Sequence, residues 1–256
     1  MSNFQPDLPS SVFVKKVIVE NNYTKSFDLD LSYQAKPGQF GMIWLPGFQD
    51  KPFSLAQADP VRFTIAAVGP LSSALHRLQA GDTLWVRGPL GSGYDIPSPT
   101  TNKPSVLLIG GGYGVAPLLF LAKKAMALGY QVGMIIGAGS KADLLLADDF
   151  RKIGAYLFLT TEDGSEGIKG RVTDAIPTAL AQLQEKPAAI YSCGPTGMLA
   201  AVSHYGERQD IPVQVAWESH MRCGIGLCGS CEVGEGWLTC LDGPVFPFDP
   251  LRTPPK

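Results

Sequence analysis

Four cysteines, Cys223, Cys228, Cys231 and Cys240, stand in the order C-x4-C-x2-C-x8-C, the first three inside the glycine-rich stretch MRCGIGLCGSC. Cysteines at this spacing in a tight, glycine-rich stretch point to a short loop that wraps one side of a metal centre rather than to a regular helix or strand. The C-x4-C-x2-C run with a more distant fourth cysteine is the plant-type spacing for a [2Fe–2S] cluster, which takes four thiolates on two irons. Gly224, Gly226 and Gly229 are expected at positive φ, where backbone N–H groups close on sulfur and other residues would clash. A structural zinc is the main alternative, although zinc ribbons usually present two C-x2-C knuckles and only Cys228 and Cys231 form one here. Disulfides find no support, because no secretory signal opens the chain. A Rieske centre would need paired histidines; His76, His204 and His220 offer no such pairing and read as ordinary surface or packing residues.

At 256 residues with 45% hydrophobic side chains, the chain can bury more than one core, and two main domains are expected. A formal net charge of −2 leaves no electrostatic footprint for nucleic acid or an anionic surface. No apolar run reaches membrane-spanning length, since LLFLAKKAMAL is broken by two lysines and VLLIGGG stops at glycines. The expectation is a soluble, cytoplasmic protein with short proline-bearing tails, MSNFQPDLPS and PFDPLRTPPK.

Two structural grammars divide the chain. Up to about residue 98, the runs SVFVKKVIV, YTKSFDLDL, FGMIWL, VRFTIAAV and TLWVRG are short, β-branched or aromatic, and punctuated by Pro37-Gly38, Pro46-Gly47, Asp59-Pro60 and Gly81-Asp82. They predict a small β-barrel. From Ser105 onward, strands at Val106–Ile109, Val132–Ile136, Tyr156–Leu159 and Ala188–Ser192 alternate with helices. Those helices are predicted at Val115–Leu128, Leu144–Lys152, Thr173–Leu183 and Met198–Arg208. This alternation predicts a doubly wound parallel sheet, with a fifth strand at Val213–Trp217 leading into the cysteines. The predicted division is 1–98, 99–216 and 217–256, with the first boundary in the SPTTNKP stretch at Ser98–Lys103.

In an open parallel sheet, ligands bind beyond the carboxyl ends of the strands. Three loops stand there. Gly110-Gly111-Gly112-Tyr113-Gly114 follows a strand and opens a helix, so its backbone can approach a phosphate, with Pro117 compatible with the first helical turn. It is not G-x-G-x-x-G, and a merely tight strand-to-helix turn accounts for it equally simply. Thr160-Thr161-Glu162-Asp163-Gly164-Ser165 is either a solvated turn or a wall of the same crevice. Cys193-Gly194-Pro195-Thr196-Gly197-Met198 is either an inert buried thiol before a helix or the neighbour of a nicotinamide.

The segments LLIGGGYGVAPLL and CGPTGML, preceded by KPFSL and GDTLWVRGPLGSGY, resemble the ferredoxin–NADP reductase superfamily, in which a flavin-binding barrel precedes a nicotinamide-binding α/β domain. ESHMRCGIGLCGSCEV and LTCLDGPVF narrow the resemblance to the electron-transfer subunits of type 1B dihydroorotate dehydrogenases, from about Val12 to Phe246. The resemblance implies FAD, a [2Fe–2S] cluster on the four cysteines, and NAD, with NADP not excluded by Ser140 and Lys141. Lys51-Pro52-Phe53-Ser54 stands where the family has Arg-Pro-x-Ser against the flavin; lysine keeps the charge but loses the planar fork. Ala67, Val68, Ser72 and Ser73 complete the implied flavin set, although Leu71-Ser72 replaces a Gly-Thr pair of the relatives. Gly88-Pro89-Leu90-Gly91 matches the motif that closes the barrel. Gly111, Gly112 and Gly114 are implied at the pyrophosphate, Thr160 and Asp163 on the neighbouring wall, and Cys193, Gly194 and Pro195 at the nicotinamide, with Cys193 the one candidate catalytic residue.

The function implied is electron transfer in pyrimidine biosynthesis, from an FMN-bearing catalytic subunit to NAD, within a heterotetramer of two catalytic and two electron-transfer subunits. Met221, Ile225 and Leu227 are candidates for shielding the cluster or contacting that subunit, or for plain local packing. Two other readings stand beside it. One is a reductase subunit with the same cofactors in a hydrogenase or sulfur-metabolism complex; the other is a non-catalytic redox sensor or zinc-stabilised binding module.

Overall fold

The computed structural model describes residues 8–99, 104–183, 185–234, 236–247 and 249. Most of the predicted first boundary, 100–103, and most of both tails lie outside these residues.

In the strand Ser10–Asn21 (β1), Val12 and Val14 point inward and are buried while Phe13 and Lys15 face out. That alternation requires one covered face. The strand is long enough to serve two neighbours, and register shifts at Val14/Lys16 and Val19/Asn21 bend it from one to the other. The further strands are Thr24–Leu29 (β2), Phe40–Trp44 (β3), Lys51–Ala58 (β4), Val61–Ala66 (β5) and Thr83–Leu90 (β6). They close an antiparallel barrel in the order β1-β2-β5-β4-β3-β6. A short helix, Pro70–Leu75 (α1), plugs it with Leu71 and Leu75 against Phe27, Phe63 and Ile65.

Lys51–Ser54, which the resemblance sets against the flavin, opens strand β4 in spite of its proline. Proline removes a ladder donor and is tolerated where a strand is paired on one side. Residues 51–54 pair with β3 alone; pairing of β4 with β5 begins at Leu55. One backbone edge of Lys51–Ser54 is therefore left without a strand neighbour.

The second unit holds the strands Ser105–Gly111 (β7), Gln131–Ala138 (β8), Tyr156–Thr161 (β9), Ile168–Lys169 (β10), Ile190–Cys193 (β11) and Val213–Ala216 (β12). Its helices are Val115–Ala127 (α2), Ala147–Lys152 (α3), Val172–Leu183 (α4) and Thr196–Gln209 (α5). In β7, Val106 and Leu108 pack on the side of α2 and α3, and Leu107 and Ile109 on the side of α4 and α5. Burial on both faces is what a near-continuous apolar run demands of a parallel strand. Gly110 and Gly111, expected in a loop, are the last residues of β7, paired with Ile136 and Gly137 of β8.

After a small hairpin of Glu232–Val233 (β13) and Trp237–Leu238 (β14), the strand Val245–Phe246 (β15) returns antiparallel to β12. The sheet order is β10-β9-β8-β7-β11-β12-β15. Strands β10 and β15 were not foreseen; two residues carry no periodicity to read. The order reverses direction between β7 and β11, which makes that gap the switch point where an open α/β sheet receives its ligand. Among the described residues, no helix is long and apolar enough to cross a membrane.

Candidate functional site

A cavity of about 530 Å³ opens where the barrel, the switch point and the stretch leading to the cysteines meet. The barrel contributes the free edge Lys51–Ser54, together with Thr64, Ile65, Ala66, Val68, Leu71 and Ser72. The sheet contributes Tyr113, Gly114, Pro117 and Cys193, and the chain beyond β12 contributes Trp217, Glu218, Ser219, His220 and Met221. The predicted flavin residues therefore come together, apart from Ala67 and Ser73, which lie outside the lining. The hydroxyl of Ser72 is engaged locally: Oγ accepts from the Val68 and Gly69 N–H groups at 3.0 and 2.9 Å and so caps its own turn.

At the switch point, two loops interlock. A Cβ on Gly114 would stand 2.5 Å from the Cys193 carbonyl oxygen, and one on Gly111 would stand 2.8 Å from Met198 Sδ. Gly114 is needed for that approach, because the atoms it would meet are backbone. The turn Gly112–Gly114 leads into α2, whose third residue is Pro117, as the sequence suggested; the Val115 N–H is taken up by the turn's own carbonyls, and Tyr113, Gly114 and Pro117 face the cavity. Thr160 and Asp163 lie two strands away from the switch point and do not line the cavity. Thr160 is fully buried with Oγ1 donating to the Ile136 carbonyl at 3.4 Å, and Asp163 accepts from Ser165 Oγ at 2.6 Å.

Burial raises the Cys193 thiol far above its usual range, and the nearby Glu218 carboxylate adds to this. A thiol held neutral is a steric neighbour, not a nucleophile. Tyr113 Oη donates to Glu218 Oε2 at 3.2 Å across the cavity mouth. Burial, then the Glu218 charge, pushes the Tyr113 phenol up to about 12; burial also raises the Glu218 carboxyl, against the lowering effect of the Tyr113 hydrogen bond.

The cysteine loop adopts the backbone its glycines foretold, with Gly224, Gly226 and Gly229 at φ +69°, +77° and +71°. Ile225 N and Leu227 N donate toward Cys223 Sγ at 3.5 and 3.3 Å, and Gly226 N toward Cys240 Sγ at 3.1 Å. The thiols stand as two adjacent pairs: Cys231 and Cys240 Sγ are 3.2 Å apart, and Cys228 is hydrogen-bonded with Cys223. Among the described residues, no three metal-ligating side chains gather at one point. Hydrogen bonding from Ser230 holds the exposed Cys228 thiol down to about 6, whereas burial and then Cys231 push Cys240 up to about 12.

Phe40, Met42 and Met221 share one buried apolar cluster with Cys231 and Cys240, and Phe40 and Met221 also line the cavity. The cavity wall and the buried thiols thus belong to one continuous apolar cluster. Of the three apolar candidates near the cysteines, Met221 is buried in this cluster, Ile225 is half-buried and Leu227 is 78% exposed.

An iron–sulfur cluster binding domain of dihydroorotate dehydrogenase B matches residues 218–252, and an oxidoreductase NAD-binding domain matches residues 108–204. A probable dihydroorotate dehydrogenase B (NAD(+)) electron transfer subunit of Methanocaldococcus jannaschii is 39% identical over 240 residues, 93% of this chain and 90% of the relative. Its counterpart in Pyrococcus horikoshii is 42% identical over 228 residues, 89% and 85% of the two chains. The chain belongs to the family of dihydroorotate dehydrogenase B electron-transfer subunits. The solved NADH-dependent reduced ferredoxin-NADP oxidoreductase superposes with a TM-score of 0.81 at 29% identity, over 96% of this chain and 89% of the other. The flavohaem-like FAD/NAD binding domain of a nitric oxide dioxygenase from Vibrio cholerae shares the fold, with a TM-score of 0.68 at 19% identity, over 80% and 96% of the two chains.

Within this electron-transfer-subunit family, the chain brings to the cavity several residues that sequence reasoning had not assigned. Tyr113 was seen only as a loop residue, Trp217 as a strand end, and Glu218 and Ser219 only as part of a motif. His220 is exposed, as expected of a surface residue, and also borders the cavity. His76 and His204 behave as expected, His76 Nε2 donating to the Ile65 carbonyl at 2.7 Å and His204 lying exposed beside Glu207. The available signal was position, since the residues after the last parallel strand face the switch point, but no composition rule marks them.

Proposed function

We propose that this chain carries electrons from an FMN-bearing dihydroorotate dehydrogenase subunit to NAD, within a cytoplasmic heterotetramer of two catalytic and two electron-transfer subunits serving pyrimidine biosynthesis. The observation that carries this reading is the shared wall of Phe40 and Met221, which sets the cavity and the cysteine quartet back to back. The units 1–98, 99–216 and 217–256 would then bind flavin, nicotinamide nucleotide and cluster respectively.

The donor chemistry fits a [2Fe–2S] centre on Cys223, Cys228, Cys231 and Cys240: two thiol pairs give two thiolates per iron, and three amides are aimed at the sulfurs. The cavity fits FAD. Its free β4 edge offers backbone hydrogen bonds beside Phe53 and Ser54, Lys51 brings a cation for the pyrophosphate, and Trp217, Ile65 and Leu71 exclude water from an apolar ring. Flavin exchanges hydride with a nicotinamide and single electrons with an iron–sulfur centre, so it joins the two kinds of transfer.

The close-packed glycine turn of Gly111, Gly112 and Gly114 ahead of α2 would let the dinucleotide phosphates approach the backbone. Cys193, Gly194 and Pro195 would border the nicotinamide, the neutral Cys193 thiol acting by shape, while the buried Thr160 and the exposed Asp163 would act only by supporting the strand end two strands away. NAD rather than NADP is favoured because both groups suited to a 2′-phosphate are engaged. Ser140 Oγ donates to Asp143 at 2.8 Å, and Lys141 Nζ pairs with Glu166 at 3.0 Å. Leu227 and Leu241, 78% and 57% exposed beside the cysteine loop, suit contact with the catalytic subunit.

Anaerobic purification with iron, zinc and flavin quantified, followed by visible and EPR spectra, tests the cofactors. Reconstitution with an FMN-containing partner and a dihydroorotate-to-NAD assay tests the reaction. A colourless or zinc-loaded protein sinks the cofactor assignment, and a complex that fails to reduce NAD sinks the function. The likeness to the ferredoxin-NADP oxidoreductase structure supports a second reading, the same cofactors serving another partner, which co-purification distinguishes.

A further inference from the structure

Arg87 lies on β6 with a side chain only 11% exposed, and nothing in the site described so far uses it. Its Nη2 donates to the Cys223 carbonyl oxygen at 2.7 Å and stands 3.6 Å from Asp50 Oδ2. Asp50 immediately precedes the cavity edge Lys51–Ser54. One guanidinium therefore joins the flavin-facing strand, the barrel wall and the first cysteine of the loop. The register sets Arg87 opposite Met42, which shares the apolar cluster of the buried cysteines, and Gly224, next to Cys223, lies against Met42 and Leu90. A desolvated arginine must have its charge answered, and the half-buried Asp50 at 3.6 Å answers it in part.

We propose that Arg87 is a positioning residue for the cysteine-held redox centre: it anchors the Cys223 carbonyl, and its charge, offset in part by Asp50, sets the reduction potential. This rests on the reading of the four cysteines as cluster ligands. A one-electron centre becomes more negative by one charge when it accepts an electron from a donor protein and recovers its charge when it passes that electron on. A fixed cation in a low-dielectric wall stabilises the reduced form and raises the potential, and a fixed anion lowers it. Arg222 supplies the comparison. It adjoins Cys223 in sequence but is exposed, where water and counterions screen its charge.

The test is an EPR-monitored redox titration of the purified holoprotein, with iron and flavin measured on the same samples, for wild type, Arg87→Gln, Arg87→Lys, Asp50→Asn and Arg222→Gln. The expected cluster potential moves negative in Arg87→Gln and positive in Asp50→Asn. It stays nearer wild type in Arg87→Lys and scarcely moves in Arg222→Gln, while flavin content is unchanged. A purely structural tether would lower iron content in both the Arg87→Gln and Asp50→Asn variants without opposite shifts. Unchanged potentials, or shifts of the same sign, overturn the proposal. Should Arg87→Gln hold no iron, Arg87→Lys and Asp50→Asn decide it: a wild-type potential in Asp50→Asn overturns it. Lack of a reducible iron–sulfur signal in wild type overturns the cluster reading itself, and the proposal with it.

Discussion

At Gly114, a hydrogen in place of a methyl group lets the turn after β7 lie against the Cys193 carbonyl, and the crevice depends on that approach. Gly114→Ala is expected to cost about 1–3 kcal/mol in urea unfolding through overpacking, and to weaken NADH binding measured by flavin-independent calorimetry. Undiminished NADH affinity would show that the interlock is not part of the nucleotide site. The glycine cluster was legible in the sequence; its reason was not, because the clashing carbonyl comes from a loop about eighty residues away. Glu218 was not legible as a site residue at all. Its raised carboxyl pKa means the folded state favours the protonated form, so its contribution to stability is full below the ordinary carboxylate range and is lost as pH rises through the raised value. Glu218→Gln is therefore expected to raise the melting temperature of flavin-free protein at neutral pH and to flatten its decline above the ordinary carboxylate pKa. An unaltered pH profile of melting would contradict this.

Strand β15 ties the cysteine segment to the sheet. Phe246 is 1% exposed, packed with Leu199, Val215, Trp217 and Val233, and stacks edge-on with Trp237 of the hairpin. Phe246→Ala is expected to cost about 3–5 kcal/mol, read by chemical denaturation. Because Trp217 also lines the cavity, a fall in bound flavin should accompany the loss of stability; flavin retention at wild-type levels would mean the two regions are independent. The long elements, from β1 to α5, were largely readable because their periodicity runs over many residues. Strand β4 was only half-readable: its proline argues against a strand unless one side of it goes unpaired, and pairing is a property of neighbours.

Across the whole molecule, the barrel and the cysteine segment meet through Phe40, Met42, Leu90 and Met221. Cys231→Ser is expected to abolish iron binding while leaving flavin bound and reducible by NADH, with partner-linked NAD reduction lost; stopped-flow flavin reduction and iron analysis check this. Loss of flavin together with iron would mean that the cluster holds the barrel in shape. By itself the sequence determined the cysteine quartet, the barrel-then-α/β order and the glycine turns, because each is written in local spacing or periodicity. Only the tertiary structure decided which residues share the cavity wall, that Thr160 and Asp163 stand apart from it, that His220 borders it, and that Arg87 reaches Cys223. Those facts depend on strand order and on contacts between segments far apart in the chain, and no local pattern encodes a contact whose two halves fold into place from different domains.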